Sequence, residues 1–205
     1  MTGHSFDSNY SRRNSFLFGT RKIMKDLIEN KTHEIKCAMS ALGRRLEEGT
    51  ASTLVHWVTP GQLACAHRPL RHHPQFGGSG RNLSASAADL VKDWVEEIIV
   101  TGIKSVISLM HDRDLNYYSL LNLGEGNLLD FYSQSGLLLA HLPWEDPHHK
   151  KTKELQKIEK LLSIRTEALL AYQKLPKPVL VQCSAGIDRS SPVAAYIWSK
   201  TIIQK

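Results

Sequence analysis

The spacing of apolar residues predicts that this chain alternates between helices and strands. Across residues 21–46 the apolar side chains recur at intervals of three, four and seven, a pattern typical of an amphipathic helix. They are Met24, Ile28, Ile35, Met39, Leu42 and Leu46. This face would dock on the main domain or, alternatively, on a partner helix. Residues 1–20 are rich in Ser, Asn and Arg, and we expect them to form a mobile tail.

A larger domain is expected after a polar break. Two short apolar segments surround the turn signal Pro60-Gly61, which predicts a hairpin or a pair of strands. Beyond them, helical patterns at 86–101, 128–134 and 152–173 alternate with apolar strands at 103–109, 137–142 and 179–181. This alternation favours an α/β fold, a mainly parallel central sheet flanked by helices on both faces, with an N-terminal helical extension. The predicted division is a tail at 1–20, the extension at 21–53 and the main domain at 54–205.

Composition and charge narrow the class of protein. The 205 residues are 41% hydrophobic and 22% charged, as in an ordinary globular protein. No apolar run approaches the roughly 20 residues of a membrane-spanning helix, and the first residues lack the apolar core of a secretory signal. The formal net charge of +6 favours anionic partners. The basic residues are scattered without an RNA-binding or zinc-finger pattern, which argues against a nucleic-acid partner.

Cysteine and histidine usage gives no metal or disulfide pattern. The three cysteines, Cys37, Cys65 and Cys183, form neither an even disulfide framework nor a paired metal-ligand spacing. We therefore expect a reducing, cytoplasmic location. No carboxylate or cysteine completes a ligand set with the loop histidines, so these and the charged run after the third predicted strand are interpreted as solvated. The residues concerned are His67, His72, His73, His111, Asp112, Arg113 and Asp114.

The residues after the last predicted strand carry the clearest chemistry. A loop at 183–189 joins the strand to a helix that begins at Ser190. Gly186 permits a tight turn, so that successive amides can form a nest for an anion, aided by the positive end of the helix. Arg189 can grip two phosphate oxygens, and the same positive field favours a thiolate at Cys183. The candidate phosphate-binding residues are Ser184, Ala185, Gly186, Ile187, Asp188 and Arg189.

The segment Cys183–Ser190, CSAGIDRS, resembles the active-site signature of the cysteine-dependent protein tyrosine phosphatases, in particular the dual-specificity type. The cysteine and arginine are separated by five residues, and a hydroxyl residue follows. The resemblance implies a phosphatase fold and a phosphate monoester hydrolase that works through a cysteinyl-phosphate intermediate without metal or cofactor. Cys183 would attack phosphorus, Arg189 would hold the phosphate oxygens, and Ser190 would stabilise the departing thiolate. The alternative is a buried structural cysteine beside an ordinary arginine.

A second loop would supply the proton that the leaving group needs. Residues 143–147, PWEDP, resemble the acid loop of dual-specificity and tensin-type phosphatases. By that match Asp146 is the general acid and Glu145 its companion. Two other interpretations stay open: Glu145 is the acid, or no acid is required.

The match departs from the family at three points. Gln182 precedes the cysteine where the family usually has histidine, which affects the expected turnover. Asp188 reduces the positive charge of the loop and resembles phosphoinositide-directed relatives, although Ile187 replaces a basic residue often found there. The sequence ends soon after the last helix, where most relatives continue. We expect the segment 21–46 to fill that place, so that deleting the residues before Gly49 lowers the melting temperature by several degrees.

Four functions therefore compete. The leading prediction is a dual-specificity phosphatase that acts on phosphotyrosine, and on phosphoserine or phosphothreonine, in proteins. A phosphoinositide or inositol phosphate phosphatase is supported by Asp188 and the basic charge. A catalytically weak pseudophosphatase is supported by Gln182. A sulfur-transfer or arsenate-reducing protein is opposed by the acid loop and by the lack of an obvious resolving cysteine.

Overall fold

The computed structural model describes residues 7–78, 80, 82–147 and 153–202, and side chains from residue 22 onward within these ranges. The helices are α1 (Asp7–Glu47), α2 (Ala88–Val100), α3 (Asp112–Asn116), α4 (Leu128–Gln134), α5 (Glu154–Lys174) and α6 (Ser190–Ile202). The strands are β1 (Val55–Thr59), β2 (Leu63–Ala66), β3 (Ser105–Ser108), β4 (Leu138–His141) and β5 (Val179–Gln182).

The strands form a sheet in the order β1-β2-β5-β3-β4. β1 pairs with β2 in an antiparallel hairpin, while β5 runs parallel to both β2 and β3, and β4 runs parallel to β3. The predicted α/β fold with a mainly parallel sheet is thus confirmed. At the carboxyl end of the central strand, Gln182 is aligned with Ala66 on one side and Ser108 on the other. The loops that follow these strands therefore meet at one edge of the sheet.

Helices cover both faces of the sheet and bury one apolar core on each. Every residue of β5 is buried, because successive side chains alternate between the two cores. Leu180 belongs to the core beneath α2 and α4, and Val179 and Val181 belong to the core beneath α1, α5 and α6. This burial on both faces explains why β5 begins with three consecutive apolar residues. The loop that follows β5 leaves the sheet at its carboxyl edge.

α1 docks on the main domain rather than standing apart from it. The fully buried residues Ile35, Met39 and Leu42 belong to the same core as β5 and α6. The packing face expected from the periodicity is therefore present. In this respect α1 behaves as part of the fold that holds the loop after β5.

The start of α1 differs from the expectation. The helix begins at Asp7, so residues 7–20, which we predicted to be a mobile tail, are helical. The physical reason is that no proline occurs before Pro60, so a helix that is nucleated further along can propagate through polar residues. Residues 1–6 of the expected tail lie outside the described residues. The division into tail, extension and catalytic domain remains a prediction.

No helix in the described ranges is long and apolar enough to cross a membrane.

The docking of α1 can be tested with Leu42→Ala. Because the side chain of Leu42 is 1% exposed, we expect the free energy of unfolding to fall by about 3 kcal/mol, measured by urea denaturation. Ile23→Ala is the matched control, since Ile23 is 68% exposed on the same helix and should change stability by less than about 0.5 kcal/mol. Equal effects of the two changes would show that α1 does not dock.

Candidate active site

The loop after β5 holds Cys183 at its base, beside the start of α6. Cys183 is 2% exposed, and its Sγ lies 3.3 Å from the Ser190 Oγ. The Ser191 hydroxyl donates a hydrogen bond of 3.0 Å to the Gly186 carbonyl, which holds the middle of the loop against the helix. The structure thus brings the predicted cysteine and hydroxyl residue into contact. It also provides the strand, loop and helix that the sequence indicated.

Gly186 meets two separate requirements at the turn of the loop. Its φ of +66° lies in the left-handed region that glycine adopts without strain. A Cβ atom there would also lie 2.5 Å from Met39 Cε on α1 and 3.2 Å from the Ala66 carbonyl oxygen. The loop is therefore packed closely from behind by α1 and by the end of β2.

Arg189 is buried, and its guanidinium joins three parts of the sheet edge. Nη1 donates to the Asp114 Oδ2 at 2.6 Å, to the Trp144 carbonyl at 2.8 Å and to the Leu109 carbonyl at 3.2 Å. Within the described ranges its hydrogen bonds all come from Nη1. Nε and Nη2 are thus available to an oxyanion. The predicted phosphate-binding arginine is therefore held through Nη1, which leaves Nε and Nη2 as candidate donors to two oxygens of a phosphate.

Asp114, in the charged run after β3, is a buried residue of the site. We expected a solvated side chain, but Asp114 is 8% exposed and pairs with Arg189. It lies at the third position of α3, where the His111 amide donates to its Oδ2 at 2.9 Å in a capping box. Burial alone would raise the pKa of this carboxyl. The Arg189 guanidinium and the His111 amide outweigh that effect and lower the pKa, so the group stays ionised beside Arg189.

The candidate acid loop, residues 143–147, follows β4 and contacts Arg189 through its backbone. Trp144 is buried, and its carbonyl accepts one of the Nη1 hydrogen bonds. Burial opposes the charge of Arg189, but the nearby Cys183, Asp114 and Asp146 raise its pKa above the usual value. Asp146 therefore lies close enough to act electrostatically on the loop. Glu145 and Asp146 both line a cavity of about 290 Å³, so the choice between them as the acid stays a prediction.

Gln182, the residue before Cys183, is a neutral side chain that links three segments of the site. Its side chain is fully buried, and the Tyr132 hydroxyl donates to Oε1 at 3.0 Å. Its Nε2 donates to the His67 carbonyl at 3.0 Å. The side chain therefore links β5, α4 and the segment after β2. It orients the start of the loop without adding a charge next to Cys183.

The segment after β2 supports the loop, and sequence reasoning missed it. His67, interpreted as solvated, is 3% exposed, and its Nδ1 lies 2.8 Å from the Ala185 carbonyl oxygen. Burial and the neighbouring His72 lower the pKa of His67 to about 3. The ring is therefore neutral, and Nδ1–H donates to Ala185. The sequence did carry one signal for this role. His67 directly follows β2 (Leu63–Ala66), and the carboxyl ends of parallel strands lie at the same edge of a sheet, so His67 would lie near the loop after β5.

Arg68 is a second buried arginine at the loop. Its amide donates to the Ser184 carbonyl at 3.0 Å, and its Nε donates to the Ser184 Oγ at 3.2 Å. Nη1 and Nη2 donate to the Tyr118 hydroxyl and the Gly78 carbonyl. Arg68 therefore brings a positive charge to the first residue of the candidate nest.

The loop histidines His72 and His73 are engaged by other groups of the protein. His72 Nδ1 lies 2.7 Å from the Glu47 Oε1 on α1, and the His73 Nδ1 accepts from the amides of Gln75 and Phe76. In the described part of the chain, no group of three or more His, Cys, Asp or Glu side chains could hold a metal ion.

Asp188 is engaged by α1. The Lys36 Nζ lies 2.7 Å from the Asp188 Oδ1, and both side chains are about one-third exposed. The carboxylate that would weaken the positive charge of the loop therefore has a cation beside it. The contact is partly exposed and modest in energy, but it places a side chain of α1 next to the candidate phosphate-binding residues.

Comparison with known proteins gives one distant structural likeness. A scan against family models gives no match, and neither does a search of curated proteins. A search of solved structures finds a crystal structure of kinase associated phosphatase in which serine replaces the catalytic-site cysteine. The TM-score is 0.44 and the sequence identity is 20%, and the alignment covers 67% of this chain and 65% of that one. The chain thus spans just under two thirds of that protein's length.

Gly186→Ala tests how tightly the loop is packed from behind. Gly61→Ala is a matched control, because Gly61 has the same φ of +66° with no atom within 4 Å of the added Cβ. Both changes carry the cost of a left-handed alanine, about 1–2 kcal/mol. Gly186→Ala must also move the Met39 methyl group and press on the Ala66 carbonyl oxygen, so we expect it to lower the free energy of unfolding by about 1 kcal/mol more. Equal losses in urea denaturation would contradict the close packing.

The neutral state of His67 makes stability depend on pH. The pKa of His67 falls from 6.5 to about 3 on folding. The unfolded chain therefore binds a proton at His67 more readily than the folded chain does. Protonation of the unfolded chain lowers the free energy of unfolding, so folding is most stable above pH 6.5 and loses stability as the pH falls toward 3. Between pH 7.5 and 5 this group should remove about 2 kcal/mol of unfolding free energy. His67→Gln should remove that part of the pH dependence, whereas His33→Gln, at an exposed position on α1, should leave it. An unchanged dependence in His67→Gln would contradict the assignment.

Proposed function

We propose that this protein is a cysteine-dependent phosphatase of the dual-specificity type, acting on phosphotyrosine and on phosphoserine or phosphothreonine in proteins. One observation carries the proposal. Cys183 lies within hydrogen-bond distance of Ser190 at the base of a loop whose arginine is held with Nε and Nη2 available. This is the arrangement that a thiolate nucleophile and a phosphate-binding guanidinium need.

The first step would transfer the phosphoryl group to Cys183. The thiolate attacks phosphorus, while Arg189 and the amides of 184–189 balance the charge on the equatorial oxygens. As the bond to the leaving oxygen breaks, Asp146 gives that oxygen a proton. The products of this step are the free alcohol or phenol and a cysteinyl phosphate.

The second step would regenerate the thiolate. Asp146, now ionised, takes a proton from a water molecule that attacks the phosphorus. The bond to sulfur breaks, and the Ser190 hydroxyl donates a hydrogen bond to the departing Cys183 thiolate. Inorganic phosphate leaves. Protein groups supply the charge stabilisation in both steps, so the mechanism calls for no metal or organic cofactor, and a reducing compartment such as the cytoplasm suits its thiolate.

Two features bear on the alternatives. Asp188 suggested an inositol phosphate substrate. Its carboxylate is paired with Lys36, so the negative charge that it adds to the loop is partly balanced. Gln182 suggested a pseudophosphatase. Its Nε2 donates a hydrogen bond to the His67 carbonyl, and this positioning role does not require Gln182 to transfer a proton. Both observations weaken the hints toward the alternatives.

Hydrolysis of a small aryl phosphate tests the proposal. Cys183→Ser should lower kcat by at least about 10³-fold, because serine is a far weaker nucleophile at neutral pH. Asp146→Asn should lower kcat by about 10²-fold. It should also remove the decline of kcat toward high pH, since a general acid must be protonated to act. If Glu145 is the acid instead, Glu145→Gln rather than Asp146→Asn should lower kcat and remove its decline toward high pH.

Cys37→Ser is the matched control for the nucleophile, because Cys37 is an exposed free cysteine on α1. Hydrolysis that survives in Cys183→Ser would rule out the mechanism. If the unmodified protein is inactive but binds tungstate and loses that binding in Arg189→Lys, the pseudophosphatase function replaces the proposed one.

A further inference from the structure

A groove of about 810 Å³ lies between α1, α5 and α6. Lys36 lines the groove, and its ammonium contacts Asp188 in the loop after β5. One side chain, Lys36, therefore lies at both the groove and the loop.

The floor of the groove is apolar. Met24 and Ile28 of α1 face Leu161 and Leu162 of α5, and the side chain of Leu162 is 54% exposed. The helix between Met24 and Lys36 is about 18 Å long, which matches about five residues of extended polypeptide. The groove is therefore the size of a peptide segment rather than of a single small anion.

Cations are distributed along this floor. Lys25, Lys36, Arg165 and Lys200 line the groove together with a single described acid, Glu29. Lys25 lies 3.7 Å from Glu29, and Lys36 lies 2.7 Å from Asp188 in the loop after β5. Arg165 and Lys200, on two different helices, have no ion pair among the described residues, and they are the cations that suit a ligand with separate negative charges.

Arg165 and Lys200 are placed in a way that an anion would favour. Arg165 Cζ lies 5.7 Å and Lys200 Nζ lies 5.2 Å from the centre of the Tyr196 ring. Arg165 is held by a hydrogen bond of 3.1 Å from its Nε to the Pro192 carbonyl, which fixes its guanidinium at the groove. Burial lowers the pKa of Arg165, in keeping with a cation that has lost part of its hydration. The carboxylate of Glu29 and the Tyr196 side chain act on Arg165 in the opposite direction.

Building on the proposed function, we propose that the groove between α1, α5 and α6 binds the acidic flank of the phosphorylated residue in a protein substrate. The apolar floor would take leucine-like side chains, and the cations would take the carboxylates between them. The dispersed charges favour such a polypeptide over an inositol lipid, whose phosphates are gathered on one head group.

The test uses the Cys183→Ser protein and fluorescein-labelled phosphotyrosine peptides. One peptide carries Glu-Leu repeats on both sides of the phosphotyrosine, and the other carries Lys-Leu repeats of the same length. Fluorescence anisotropy gives the two Kd values and their ratio. We expect the acidic peptide to bind at least about tenfold more tightly, and Lys200→Gln and Arg165→Gln each to reduce that ratio about fivefold.

Lys92→Gln separates the groove from the overall charge of the protein. Lys92 lies on α2 and pairs with Asp89, and the variant has the same net charge as Lys200→Gln. The ratio should be unchanged in Lys92→Gln. An equal fall in Lys92→Gln and Lys200→Gln, or equal affinity for the two peptides, would overturn the proposal.

The two proposals can fail independently. A peptide preference that depends on Lys200 would support the groove even if aryl phosphate hydrolysis were absent. Conversely, hydrolysis without that preference would leave the phosphatase and remove the groove. Binding of phosphoinositide-containing vesicles that is lost in Lys200→Gln, with both peptides bound equally, would identify a lipid ligand and overturn the peptide proposal.

Discussion

The buried charge of Arg189 is the constraint around which the carboxyl edge of the sheet is arranged. A guanidinium at 2% exposure has to be hydrogen-bonded, because an unpaired buried charge costs several kcal/mol. The acceptors come from the segment after β3, from α3 and from the loop after β4. Each of these segments is thereby fixed relative to the loop after β5. The position of the acid loop and the position of the candidate nucleophile depend on the same set of bonds.

The back of the loop is constrained just as strongly, but by packing and neutral hydrogen bonds. Met39 of α1 lies against Gly186, and the His67 ring bonds the Ala185 carbonyl. Gln182 and Arg68 add bonds between the same segments. A phosphate-binding nest needs its amides fixed before the ligand arrives, since reorganisation would reduce the stabilisation that they give. α1 and the segment after β2 supply that rigidity from outside the loop.

The sequence predicts well whatever depends on local patterns. Alternating and periodic apolar residues indicated the five strands and the order of the main helices, and the turn signal at Pro60-Gly61 marked the hairpin. Contacts between segments distant in sequence leave no such pattern. Asp114 and His67 looked like solvated loop residues because their partners, Arg189 and Ala185, lie far along the chain. Asp114 and His67 reach these partners only because the folded sheet places the carboxyl ends of its parallel strands at one edge.

The cations at the loop after β5 differ in how far neighbouring acids balance them. Arg189 is paired with Asp114, and Lys36 is paired with Asp188, so these two cations are largely balanced in the absence of ligand. Arg68 differs, because its side-chain hydrogen bonds within the described residues go to neutral oxygens of Ser184, Tyr118 and Gly78. A buried cation with neutral partners keeps a long-range field, since the interior screens it weakly. Of these three cations, Arg68 is therefore the one whose side-chain hydrogen bonds, among the described residues, include no acidic partner.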